Sequence, residues 1–252
     1  MREKLYTIPL NDAIRADDEC PFCFLERKLE QDLMDFVLGS QSSYMERDVR
    51  EKTDQTGFCR SHFSKMYSYG NTLGNAWILK THYQRTLEEM KRQMEGYRPG
   101  KTGFFERYGS PSAKHPVAAW IREREDSCFI CSQFRSDFDR YLDTFLVLWQ
   151  KDGEFRERIL NSKGFCLSHF GLLCDYAEIH LKDRQKVLFF PPLFNLMQKN
   201  MERLYEDVSW LIEKFDYRNR DADWKTSRDA IQRGMQKLKG GYPADPPYKA
   251  SK

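Results

Sequence analysis

The chain has 252 residues, with 41 Lys and Arg against 38 Asp and Glu and a net charge of +3 at pH 7. That balance gives no global attraction to nucleic acid or to an anionic membrane, and the length allows one large domain or two smaller ones. The opening Met1-Arg2-Glu3-Lys4-Leu5-Tyr6 lacks the apolar core of an export signal. The longest apolar stretch, Val187 to Met197, is interrupted by Pro191-Pro192 and is too short to cross a bilayer.

Near the N-terminus stands a C-x-x-C pair, Cys20 and Cys23, at the start of an apolar stripe formed by Phe22, Leu25, Leu29, Leu33 and Phe36. Steps of three and four residues predict a helix, which Gly39-Ser40 should end. A Tyr44-Met45-Glu46-Arg47-Asp48-Val49-Arg50 run follows, then Gly57-Phe58-Cys59-Arg60-Ser61-His62-Phe63, a C-x-x-H closed by aromatics. A longer helix is predicted from Leu73, Trp77, Lys80, Tyr83, Leu87, Met90 and Met94. Between Gly96 and Pro116 the density of Gly and Pro predicts a linker.

The order then repeats. Cys128 and Cys131 open a helical stripe of Ile130, Phe134, Phe138, Tyr141, Phe145 and Trp149; Gly164-Phe165-Cys166-Leu167-Ser168-His169-Phe170 answers the first C-x-x-H; and Leu193, Met197, Asn200, Leu204, Val208, Leu211 and Phe215 mark a second long helix. Cys20 to Cys128 spans 108 residues, while Cys59 to Cys166 and Pro9 to Pro116 each span 107. Recurrence at this interval is the mark of a duplicated domain-sized unit. No segment alternates as a strand would. The expected fold is therefore all-α: two tandem related helical units at 1–97 and 116–217, a linker at 98–115, and a C-terminal amphipathic helix with a mobile tail at 218–252. Trp224, Ile231, Met235 and Leu238 define the apolar side of that last helix, and Lys225, Arg228, Arg233, Lys237 and Lys239 cluster on it, a solvated face rather than a nucleic-acid surface.

Ligands three apart at a helix N-terminus lie on one face and can grip one ion, and the positive end of the helix dipole favours an anionic thiolate centre. Two such pincers per unit give the expected grouping: Cys20, Cys23, Cys59 and His62 around one ion, Cys128, Cys131, Cys166 and His169 around another. Three thiolates and an imidazole complete a tetrahedral zinc shell with no open position, so two structural zinc ions per chain are expected. A thiol-disulfide centre would call for a βαβ context, whereas an iron–sulfur cluster accepts the same ligands. With seven cysteines and no export signal, a reducing, cytoplasmic setting is expected. Cys174, His82, His115 and His180 fall at non-equivalent places and carry no expected chemistry.

From Tyr6 through Tyr67 above all, the chain resembles an uncharacterised prokaryotic family, classed as a domain of unknown function, whose members pair C-P-x-C with G-F-C-x-x-H-F. That resemblance singles out Tyr44, Glu46, Asp48 and Arg50, in a run typical of the family, as a candidate partner or ligand surface; the second half has no equivalent. Similar proteins are sometimes labelled substrate-binding components of transporters, but this chain shows neither an export signal nor α/β domains. The leading expectation is a zinc-stabilised, non-enzymatic module that binds a protein or small ligand. A thiol-based zinc sensor and an enzyme with a site between the halves are the alternatives, and nucleic acid is a less favoured partner.

Overall fold

The computed structural model describes residues 2–39, 43–98 and 115–241. All regular structure among them is helical: α1 (Arg2–Arg15), α2 (Pro21–Leu38), α3 (Arg47–Thr56), α4 (Arg60–Tyr69), α5 (Thr72–Glu95), α6 (Pro116–Glu125), α7 (Phe129–Lys151), α8 (Gly153–Leu160), α9 (Leu167–His180), α10 (Asp183–Glu213) and α11 (Ala230–Lys239), with 3-10 turns at Ser43–Met45 and Tyr217–Asn219. No helix among the described residues is long and apolar enough to cross a membrane. Most of the linker expected at 98–115 and the end of the expected tail lie outside the described residues.

The compact units are not the two sequence halves. Among the described residues, one is built from those up to Leu29 together with those from Ser136 to Gly241; the other is built from those between Glu30 and Arg135. In the first, α1 packs on α8, and α10 meets α8, α9 and α11. In the second, α5 meets α3, α4 and α6. The opening helices of each sequence half thus pack with the closing helices of the other.

In the first unit the core is aromatic. Phe22 lies within 5.2–5.6 Å of the rings of Phe138, Phe145 and Phe165, and Phe145 also meets Phe155 at 5.5 Å. Such edge and tilted contacts add to the area that each ring buries. The stripe predicted for α7 is buried as expected at Ile130, Phe138, Tyr141, Phe145 and Trp149. On α2 the stripe drifts, because steps of four overtake a 3.6-residue turn: Phe22, Leu25, Leu29 and Leu33 are buried, but Val37 replaces Phe36, which is 45% exposed. On α5 the predicted face is turned outward. Leu73, Tyr83, Leu87 and Met94 are exposed while Gly74 and Ile78 are buried.

Helix α11 inverts its expected orientation. Ile231, Met235 and Leu238 are about half exposed, whereas Gln236 and Lys237 are buried. The Lys237 ammonium donates to the backbone carbonyls of Glu19 and of Lys163 (2.6 Å) and lies 3.1 Å from the Glu19 carboxylate. Burial pulls its pKa down, and Glu19 opposes that shift. Arg203 (2.6 Å) and Arg233 (3.5 Å) complete the ring of cations around the buried Glu19, and Arg233 also pairs with Asp207 at 2.9 Å. Lys225 and Arg228 cover the rings of Trp210 and Trp224. Of the expected basic cluster, Lys237 and Arg233 therefore turn toward internal acceptors, whereas Lys225, Arg228 and Lys239 stay exposed.

Replacing Lys237 with Ala leaves two carbonyls and a buried carboxylate short of a donor, and should cost about 3–5 kcal/mol. Lys239→Ala, on an exposed side chain of the same helix, should stay within about 0.5 kcal/mol of the parent. Equal denaturation midpoints for the two variants would contradict the buried role of Lys237.

Candidate metal centres

All eight predicted ligands converge, but in crossed pairs. Cys20, Cys23, Cys166 and His169 form one cluster, Cys59, His62, Cys128 and Cys131 the other, with the ligand atoms of each within 4.8 Å of one another. The expected grouping within each sequence half is thereby corrected: each C-x-x-C meets the C-x-x-H of the other half. Two features of the helices explain this. The eighteen residues of α2 span about 27 Å and the ten residues of α3 about 15 Å, so α3 by itself is too short to retrace α2 to Cys20. Moreover, the intervals within the two halves are so nearly equal that spacing fits either pairing.

In the first centre, His169 Nδ1 lies 3.5 Å from Cys20 Sγ, 3.5 Å from Cys23 Sγ and 3.2 Å from Cys166 Sγ, and Cys23 and Cys166 are 3.7 Å apart. In the second, His62 Nδ1 lies 3.2, 3.3 and 3.4 Å from the sulfurs of Cys59, Cys128 and Cys131, and Cys59 and Cys131 are 3.9 Å apart. Every pincer stands at a helix N-terminus, as expected. Cys20 and Cys128 immediately precede α2 and α7, and Cys59 and Cys166 are the N-caps of α4 and α9. Amides of the first turns point at sulfur, from His169 to Cys166 (3.4 Å) and from Cys131 to Cys128 (3.5 Å).

Each C-x-x-H is preceded by a glycine at positive φ, Gly57 at 60° and Gly164 at 74°. A Cβ at Gly57 would also lie 2.6 Å from the His82 ring, so both the backbone and the space require glycine there.

Acidic partners that the sequence reading missed orient both imidazoles. Glu30 accepts from His62 Nε2 at 3.0 Å, and Glu26 lies 3.4 Å from His169 Nε2. Both come from α2, three and seven residues beyond Cys23, on its side of the helix. That spacing was the available signal. Carboxylate partners of this kind fix which nitrogen a histidine offers to a metal.

The electrostatics match the geometry. Burial opposes the His62 imidazolium, yet the Cys128 sulfur and Glu30 push its pKa up to about 10. His169 rises to about 12 against the same opposition, through Cys166, Cys23 and Glu26. Burial and the neighbouring sulfurs raise Cys20 well above its ordinary value and raise Cys131 to about 12. Cys128 falls to about 6: burial opposes, and the His62 ring and backbone amides prevail. Three sulfurs this close can all be thiolates only when a cation joins them.

Different contacts draw the two pincers of each centre together. In the second, the Phe129 amide donates to the Gly57 carbonyl (2.9 Å) and the Ser127 hydroxyl to that of Thr56 (2.6 Å). In the first, Pro21 holds the place of Phe129 and has no N–H to give. The tie is instead the Lys237 ammonium, which reaches the carbonyls of Glu19 and Lys163, close to Cys20 and Cys166.

Of the other candidate residues, Tyr44 sits in the 3-10 turn, half-buried; Glu46 is the N-cap of α3 without a side-chain cap bond; Asp48 is exposed in its first turn; and Arg50 donates to the Met45 carbonyl (3.1 Å). Arg50 alone of the four lines the polar groove of about 500 Å³ between α3 and α5, where Arg47, Glu51 and Asp54 face Thr81, Arg85 and Glu88. Cys174 joins neither cluster, His82 Nδ1 is held by the Asp54 carbonyl (3.0 Å), and the rings of His115 and His180 lie against Tyr97 and Tyr176.

Residues 1–245 match the model of a family of unknown function, DUF6062, and the chain belongs to that family. No curated protein and no solved structure matches the chain.

Crossed pairing has a stoichiometric signature. Cys20→Ser and Cys166→Ser should each lose the same ion and together lose no more, whereas Cys20→Ser with Cys59→Ser should lose both. Elemental analysis of the purified variants checks this; a Cys20→Ser/Cys166→Ser chain stripped of all metal would restore the pairing within halves.

Proposed function

We propose that this member of a family of unknown function is a zinc-held helical binding module, in which two structural zinc ions fasten the ends of distant helices and a helical surface receives a protein or small ligand. The Cys₃His composition of both clusters is the observation that carries the reading. Tetrahedral zinc with bonds of about 2.3 Å to sulfur and about 2.0–2.1 Å to nitrogen has S···S edges of about 3.8 Å and S···N edges of about 3.6 Å, against 3.7–3.9 Å and 3.2–3.5 Å in the two clusters. Four protein ligands leave no coordination position for water or substrate, which favours a structural over a catalytic ion. The near-matching motif intervals further suggest that the module arose by duplication of one helical unit.

For the binding role, the groove between α3 and α5 offers Arg47, Arg50 and Arg85 beside Glu51, Asp54 and Glu88, a charge-alternating lining suited to a polar, charged ligand or peptide rather than an apolar one. A reducing, cytoplasmic compartment is the setting in which these thiolates would persist.

Structural zinc of this type contributes apparent free energies of roughly 10–16 kcal/mol, as large as the about 5–15 kcal/mol that separates a folded domain from its unfolded chain. Purified protein should therefore carry two equivalents of zinc and no visible iron–sulfur absorption, and verified chelation should abolish the cooperative melt. A chain that melts unchanged after metal removal would refute the structural role. Because uptake displaces protons from His62, His169 and the raised cysteines, retention should weaken as pH falls; zinc affinity that is flat between neutral and mildly acidic pH would contradict this.

A further inference from the structure

The two centres have the same ligands and different cover. All four ligands of the first are buried, with Cys20 and Cys166 fully enclosed and Cys23 1% exposed. Gly240, buried just past α11 at a φ of 75°, lies over this centre, where even a Cβ would come within 3.4 Å of Cys23 Sγ and 3.5 Å of Cys166 Sγ. In the second centre Cys128 and His62 are buried, but Cys59 and Cys131 are partly exposed. Those two are also near neighbours, with sulfurs 3.9 Å apart.

Resting on the zinc reading above, we propose that the second centre is an oxidisable site for hydroperoxides, at which Cys59 and Cys131 join in a disulfide and release the ion while the first centre stays closed. Coordination keeps both sulfurs as thiolates at neutral pH, the form that attacks peroxide. One thiolate attacks a peroxide oxygen and breaks the O–O bond, becoming a sulfenic acid while the other oxygen leaves as hydroxide and is protonated to water. The second thiolate then attacks the sulfenic sulfur, forms the S–S bond and expels hydroxide, which becomes a second water. Two thiolates, one hydroperoxide molecule and two protons thus give one disulfide and two waters when the oxidant is hydrogen peroxide. Closing the pair requires the sulfurs to approach from 3.9 Å to about 2.05 Å, and an ion left with two protein ligands is lost to solvent.

Contacts that need no metal also favour reversal. Backbone and hydroxyl bonds from Phe129 to Gly57 and from Ser127 to Thr56 hold the two pincers together without the metal. Thiol reduction should therefore return Cys59 and Cys131 to positions from which they can take up zinc again.

The test uses the full chain loaded with two equivalents of zinc, exposed to a small excess of hydrogen peroxide, with released zinc read by a chromogenic chelator and disulfides mapped by mass spectrometry. One equivalent should leave at least about tenfold faster than the other, accompanied by a Cys59–Cys131 crosslink, and a small thiol should restore uptake. Equal release rates, crosslinks appearing first among Cys20, Cys23 and Cys166, a Cys128–Cys131 bond in place of the proposed one, or retention of both ions would overturn the proposal and leave the zinc reading standing. A chain that takes up no zinc before peroxide is added would instead overturn the zinc reading itself.

Discussion

The structure depends on one constraint: each metal-type centre must join a C-x-x-C from one half of the sequence to a C-x-x-H from the other. The sulfurs in each cluster are close enough to repel strongly as anions, and the imidazoles are close enough to retain a proton among them. A shared cation would turn that unfavourable crowding into a favourable interaction in each unit. The helix N-termini that converge there favour the resulting negative charge.

The packing follows from the same crossing. In the first unit the ligand His169 stacks on Phe138 at 5.4 Å and meets Phe22 at 5.8 Å, so the centre is continuous with the aromatic core. Helix α11 then docks by its polar face. For an isolated amphipathic helix, apolar burial would decide the orientation. Here Lys237 finds three acceptors between the segments that carry Cys20 and Cys166, and its bonds outweigh half-exposed Ile231, Met235 and Leu238. Burying one paired ammonium is tolerable where leaving the Glu19 and Lys163 carbonyls without a donor would not be.

Much of this was legible in the residues. The all-helical class, the eight Cys and His positions that cluster and the helix starts at each pincer all follow from spacing and local chemistry. The pairing between pincers was not, because near-equal intervals in the two halves satisfy both solutions and only the lengths of α2 and α3 separate them. Periodicity also misread α5 and α11. It shows that apolar residues share a face, and it cannot show that a competing polar interaction will turn that face outward, as Lys237 does. Glu26 and Glu30 escaped for a different reason: acidic residues on a helix look solvated until a histidine is seen to meet them.

Crossed ligation imposes an order on biosynthesis. The second centre can close once the polypeptide has been made through Cys131, 72 residues after Cys59. The first must wait for Cys166 and His169, 143 and 149 residues beyond their partners, and then for α11 to cover it. Cys20 and Cys23 would therefore wait about twice as long in chain growth for their partners as Cys59 does for Cys131.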